Sequence, residues 1–205
     1  KTTVRRALLE RRSDIVFSVS ATTRPPRPGE VDGKDYQFLG RSAFESMIEV
    51  GDLLEWAEVH GELYGTPRSN LQMAWDDGAH LLLDIDVQGA RQVRAIQPDA
   101  LTVFLLPPDY DRLVERLRGR GSEDGQTFRR RMRTALSELS EVERFDYVVV
   151  NDDLEETLRT VEAIVAAESH RVKRLSPEVR ELIRELSESL KGMLDASQPQ
   201  EARCE

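Results

Sequence analysis

The 205 residues are 39% hydrophobic and 33% charged, enough for one compact domain with a real core and a well-solvated surface. A net charge of −9 excludes nucleic acid and anionic membrane as main partners, since phosphate backbones demand an excess of Lys and Arg. An anionic small molecule needs only a local cluster of positive charge. No apolar run approaches a membrane span, no signal peptide is visible, and the single cysteine, Cys204, excludes an intrachain disulfide framework and fits a reducing, cytoplasmic compartment. Basic residues are nearly all Arg, the lysines being Lys1, Lys34, Lys173 and Lys191, so position and not abundance must carry function.

In chain order, Thr3 to Arg12 reads as a helix with Val4, Ala7 and Leu8 apolar. Ile15 to Ser20 is a β-branched run and predicts a strand, followed by a loop rich in Pro, Gly and charge from Thr22 to Gly33. Asp35 to Leu39 alternates as a strand does, and Ser42 to Val50 predicts a helix with Ser42 as N-cap. Leu53 to His60 and the stretch around Tyr64 predict a strand pair. Pro67 to Asp77 predicts a helix with Pro first and Gly78 just past its end.

The pattern then becomes regular. Apolar strands at Ala79–Ile85, Leu101–Leu106 and Tyr147–Val150 alternate with helices at Val87–Ile96, Asp109–Arg118, Gln126–Glu143 and Leu154–Val172. On the helix from Gln126, Phe128, Met132, Leu136 and Leu139 form one apolar face. Such alternation predicts an α/β fold with a parallel sheet covered on both faces and ligands beyond the carboxyl ends of its strands. Ser176-Pro177-Glu178 starts a last helix with an apolar stripe from Val179 to Met193, followed by a polar tail from Ala196.

Several segments carry chemistry. Lys1-Thr2-Thr3 ahead of a helix is how a G-x-x-x-x-G-K-[ST] phosphate loop ends, with the Lys on the outer phosphates and the hydroxyl on Mg²⁺. In SVSATTRPPRPGEVDGKDY, Ser18 to Tyr36, Arg24 and Arg27 stand three apart across a stiff Pro pair, so two guanidinium forks can converge on one phosphate. Ser20 and Tyr36 add hydroxyl donors, and Glu30 can orient an arginine by pairing with it. Asp84 and Asp86, two apart at a strand end, point the same way.

The Ser18–Tyr36 segment closely resembles the guanylate kinase family where that family holds the GMP phosphate, and four further stretches stay in its register. LLEWAEVHGELYGTP, Leu53 to Pro67, is similar to the guanine-reading segment. The resemblance implies that Glu55 accepts from the guanine N1–H and exocyclic amine, which rejects adenine by leaving a buried charge unpaired. It implies a second phosphate-contacting hydroxyl at Tyr64, and at Gly65 and Thr66 the place where a hydroxyl, often Ser, lies near the guanine carbonyl. LLLDIDVQGA implies that Asp84 and Asp86 share guanine recognition and the Mg²⁺–water shell, Asp86 nearer the base and Asp84 nearer the metal; capping of the following helix by one of them is compatible with both roles.

RLRGRGSEDGQTFRRR, Arg116 to Arg131, resembles the lid of nucleoside monophosphate kinases and implies that Arg116, Arg120 and Arg131 close over the ATP phosphates. VVVNDDL, Val148 to Leu154, resembles the adenine-side loop, with Asn151 as base contact or else Asn151 or Asp152 as a helix cap.

The resemblance covers Lys1 to about Glu168. It implies a P-loop three-layer sheet, a core of residues 1–19 and 79–175, an inserted GMP-binding domain at 20–78, a mobile lid at 119–131, and a helix and tail at 176–205. It also implies residues ahead of Lys1 that carry the loop glycines and an edge strand. The implied reaction is Mg²⁺-dependent transfer from ATP to GMP or dGMP by a monomer or homodimer, with no nucleic-acid or membrane partner. A ribose bisphosphate kinase of the same fold would have no use for Glu55, Thr66 and Asp86. A non-catalytic scaffold module would have lost Lys1, Thr2, Arg120 and Arg131.

Overall fold

The computed structural model describes residues 1–59, 61–118 and 125–196. His60, the stretch 119–124 with Arg120, and the tail with Cys204 lie outside the described residues. The chain divides into two units, residues 1–161 and residues 162 onward.

In the first unit, α1 (Thr2–Arg11) buries Val4 and Leu8, one turn apart. The predicted strand from Ile15 to Ser20 ends at Phe17 as β1 (Ile15–Phe17), and a separate β2 (Ala21–Thr22) follows, its Thr22 at the start of the predicted loop. Ser18 N–H still donates to Leu82 (3.0 Å), and Ser18 Oγ accepts from the Asn70 amide (2.8 Å); beyond this anchor the chain leaves one sheet for another. After the loop come β3 (Gln37–Phe38) and α2 (Arg41–Glu49). Helix α2 starts at Gly40, whose carbonyl accepts from Phe44 N–H (3.1 Å), so Ser42 lies inside the first turn and not at the N-cap. Phe44, Met47 and Ile48, at i, i+3 and i+4, pack on Ala21, Leu53 and Leu63.

Strands β4 (Leu53–Val59) and β5 (Glu62–Pro67) form an antiparallel pair beside a turn with Gly61 at φ 85°. They join β2 and β3 in a four-stranded sheet of order β3-β2-β5-β4, which leaves β4 at an edge. Helix α3 (Arg68–Asp76) has Pro67 at its N-cap and not, as predicted, at its first turn; Gly78, at φ 64°, ends it. The rest is β6 (His80–Leu82), α4 (Val87–Ile96), β7 (Val103–Leu106), α5 (Tyr110–Arg118), α6 (Gly125–Leu139), β8 (Tyr147–Val150) and α7 (Leu154–Ser169). Among the described residues β1 pairs with β6 and β7 with β8, both in parallel, and β3 lies parallel to β2 in the four-stranded sheet.

Helix α6 departs from its expected face and length. It buries Ala135 most deeply, with Phe128 and Leu139 half-buried, while Leu136 is 71% exposed and Met132 39%. It stops at Leu139, and a separate 3₁₀ turn covers Val142–Arg144. In the second unit α8 (Pro177–Ala196) begins as predicted, with Ser176 Oγ accepting from Val179 N–H (3.4 Å) and Pro177 in first place. Glu168 pairs there with Arg171 (3.1 Å) and Arg174 (3.7 Å).

Candidate active site

The most buried acid among the predicted site residues is Glu55, 7% exposed. A β-bulge sets its direction. Leu53 pairs with Pro67 and Glu55 with Thr66, so Leu54 is an extra residue that brings Glu55 directly opposite Thr66. The fully buried Thr66 hydroxyl donates to Glu55 Oε1 at 2.6 Å. Burial pushes the Glu55 carboxyl above its ordinary range; the Thr66 hydrogen bond opposes this shift and the Asp86 charge adds to it. Because a hydroxyl has one proton, Thr66 can serve a carbonyl oxygen only by turning away from Glu55. Gly65 lets the two strands close: a Cβ there would lie 2.8 Å from the Glu55 carbonyl oxygen.

In the loop between β2 and β3, Arg24 meets Glu30 fork to fork, at 2.7 and 2.8 Å. Its guanidinium lies over the rings of Tyr36 (5.1 Å) and Phe38 (5.6 Å), and Tyr36 meets Tyr64 edge-on at 6.1 Å. Glu30 also accepts from Arg27 N–H (2.7 Å), and the Arg24 fork, foremost, holds its carboxyl down to about 2. Arg24 is held more firmly protonated by the same pair. Thus Arg24, Glu30, Tyr36 and Tyr64 come together, while the Arg27 side chain is exposed and Ser20 is half-buried, its carbonyl accepting from Gln37 N–H (2.9 Å).

At the other strand ends, Lys1 Nζ donates to the Ile85 carbonyl at 3.0 Å, between the two predicted acids. Asp86 caps α4, accepting from Gly89 N–H at 2.8 Å, and Asp84 faces Arg5 of α1 at 3.8 Å. Thr2 and Thr3 are exposed in the first turn of α1. A cleft of about 240 Å³ is lined by Lys1, Phe104, Leu105, Pro107, Leu113, Arg116 and Asn151, with Ala135, Glu138 and Leu139 of α6. Arg116 donates to the Asn151 carbonyl at 2.9 Å, so two residues predicted on the ATP side do meet. Asn151 does not cap α7: Asp153 does, accepting from Glu156 N–H at 2.8 Å, and Asp152 is exposed. Arg131 donates to the Leu117 carbonyl (3.1 Å), and Arg120 lies outside the described residues.

Three contributors escaped the sequence reading. Gly89 abuts the Glu55 carboxylate, Gln92 bonds the backbone of Trp56, and Arg5 stacks on Phe17 (4.1 Å) while facing Asp84. The spacing 86, 89, 92 on a helix that follows an acid-tipped strand was the available signal for the first two.

A buried carboxylate–hydroxyl pair, an arginine framed by tyrosines, and an arginine-lined cleft at the strand ends make this a mixed α/β protein of the nucleotide-handling kind. The guanylate kinase family profile matches residues 1–168. The guanylate kinase of Rhodococcus jostii (strain RHA1) is 54% identical over 156 residues, 75% of each chain. That of Alkalilimnicola ehrlichii is 46% identical over 186 residues, 91% of this chain and 92% of the relative. The crystal structure of guanylate kinase from Anaplasma phagocytophilum superposes with a TM-score of 0.73 at 39% identity, covering 90% of this chain and 89% of that one. The chain belongs to the guanylate kinase family.

Proposed function

We propose that this chain transfers the terminal phosphoryl group of ATP to GMP, and to dGMP, giving GDP and ADP reversibly. The observation that carries the choice of base is the buried Glu55–Thr66 pair. An ionised carboxylate there accepts from the N1–H and exocyclic amine of guanine; adenine offers no such paired donors, and would leave a buried charge unpaired. Arg24, oriented by Glu30, takes the GMP phosphate with Tyr36, Tyr64, Arg27 and Ser20. ATP takes the cleft of Lys1, Arg116 and Asn151 with Thr2 and Thr3, and Arg131 with Arg120 supplies further positive charge. Phosphoryl transfer needs positioning and neutralisation of equatorial oxygens more than a strong protein base. The fold assignment that goes with this function is a three-layer P-loop sheet, with residues 20–78 as the GMP-binding part.

Mg²⁺ fits the donors present. Thr2 directly follows Lys1, whose Nζ binds the carbonyl between Asp84 and Asp86, so a hydroxyl and a hard carboxylate are both supplied at this end of the strands. That suits an ion held by one or two protein oxygens, by water and by substrate phosphates. When bound it would neutralise phosphate charge, and Thr2 with Asp84 would hold its shell.

A coupled assay for ADP on the full-length protein, with GMP beside AMP, CMP, UMP and ribose 1,5-bisphosphate, tests this. Turnover with GMP alone, sharply weakened in Glu55→Ala, is expected. No turnover with GMP, while a sugar bisphosphate is phosphorylated or a phosphopeptide binds, would leave the fold standing and remove the function.

A further inference from the structure

Helix α4 meets the Glu55 segment along one side, at the Glu55 carboxylate through Gly89 and at the next residue's backbone through Gln92. Asp86 begins the helix and binds Gly89 N–H. At residue 89 the missing side chain matters: a Cβ would stand 2.9 Å from Glu55 Oε2 and 3.3 Å from its Cδ, closer than atoms of these types pack. Alanine is the better helix former, so this crowding, to which the Ile85 Cβ at 3.3 Å adds, makes glycine the fitting residue at a helix interior. One turn on, the Gln92 amide bonds both backbone groups of Trp56, the residue after Glu55. Its Nε2 donates to the Trp56 carbonyl at 2.9 Å, and its Oε1 accepts from Trp56 N–H at 3.1 Å.

These bonds satisfy backbone groups on the open edge of the four-stranded sheet as a neighbouring strand would. They fix the chain next to Glu55, while Thr66 holds one carboxylate oxygen and the bare face of Gly89 receives the other. A carboxylate that must accept two adjacent donors at once depends on the placement of both oxygens.

We propose that Gly89 and Gln92 are positioning residues for guanine recognition, setting the direction of the Glu55 carboxylate from α4. This rests on the base-reading role of Glu55, and the two can be told apart. IMP keeps the N1–H of GMP but lacks the exocyclic amine, so the ratio of kcat/KM for GMP over IMP reports whether both oxygens are aimed.

The test is a double-mutant cycle on the full-length protein. Gly89→Ala, Gln92→Ala and Glu55→Ala are made singly, and each of the first two is combined with the third. Gly89→Ala is expected to raise the KM for GMP about ten-fold or more, with a smaller change in kcat, and to narrow the GMP over IMP ratio. In the Glu55→Ala background the same change should alter KM by less than about two-fold. Gln92→Ala should show the same pattern and serves alone if Gly89→Ala does not fold. Equal fold-changes in both backgrounds, or an unmoved GMP over IMP ratio, would overturn the positioning role. If Glu55→Ala itself leaves the KM for GMP and the ratio unchanged, the base-reading role falls and the positioning role with it.

Discussion

Glu55 and Glu30 are acids shifted in opposite directions, and their pH behaviour differs accordingly. Burial raises the Glu55 carboxyl, so its contribution to stability is full at acid pH and is lost as pH rises from the ordinary value of 4.5 through the raised one. As pH rises to 7 the shift costs the folded state stability, and Glu55→Gln should raise the melting temperature of the ligand-free protein at pH 7. The same variant should lower kcat/KM for GMP by about 10- to 100-fold, the equivalent of one charge-assisted hydrogen bond at about 1.5–3 kcal/mol, as read by initial rates. For Glu30 the sign reverses. Its carboxyl is held down to about 2 by the Arg24 fork, so the stabilisation is present above 4.5 and is lost as pH falls toward 2. Glu30→Gln should therefore be less stable than the parent at pH 7, the difference closing across that window in a pH series of urea denaturations. The Arg24–Glu30 pair was legible in the sequence because both partners sit in one short Pro-stiffened loop. The Gln92–Trp56 pair was not, because a glutamine amide has no distinctive chemistry and its partner is backbone from a distant strand.

Secondary elements carried more of their information in punctuation than in hydrophobic phase. Pro177 after Ser176 starts α8, and Gly78 ends α3, as their backbone preferences require. On α6 two neighbouring arcs are apolar, and the sequence favours the one with larger side chains; the structure turns Ala135 inward and leaves Leu136 out. A small residue admits close approach of neighbouring chain, which a hydropathy count does not register. Leu136→Ser should accordingly change unfolding free energy by no more than about 0.5 kcal/mol. Phe44→Ala, at a fully buried position between α2 and the four-stranded sheet, should cost about 3–5 kcal/mol. Urea denaturation of both variants measures the contrast.

Across the whole molecule, the order of strands and helices was readable from periodicity, but the division into sheets was not. Strands β2 and β3 are two residues each, too short for alternation to show; β2 exists because β5 supplies the ladder beside it, and β3 pairs in turn on β2. The family match ends at residue 168, before α8 begins. Removing residues 176–205 from the full-length protein should leave kcat with GMP within about two-fold of the parent, measured in the ADP assay.

The two kinds of strand pairing also set a timetable. Strands β4 and β5 are neighbours in sequence across a short turn, whereas Ile15 must find His80 and Val103 must find Tyr147 before the β1–β6 and β7–β8 pairs exist. Hairpins close in about 1–10 μs, while pairings between distant segments wait on the larger entropy of loop closure. During refolding, the amides that bind β4 to β5 around Ala57 and Tyr64 should gain protection from pulsed hydrogen exchange before those of Phe104 and Leu105. The strands bearing Glu55 and Thr66 would then be joined early, and would wait for α4 to arrive before they could tell one purine from another.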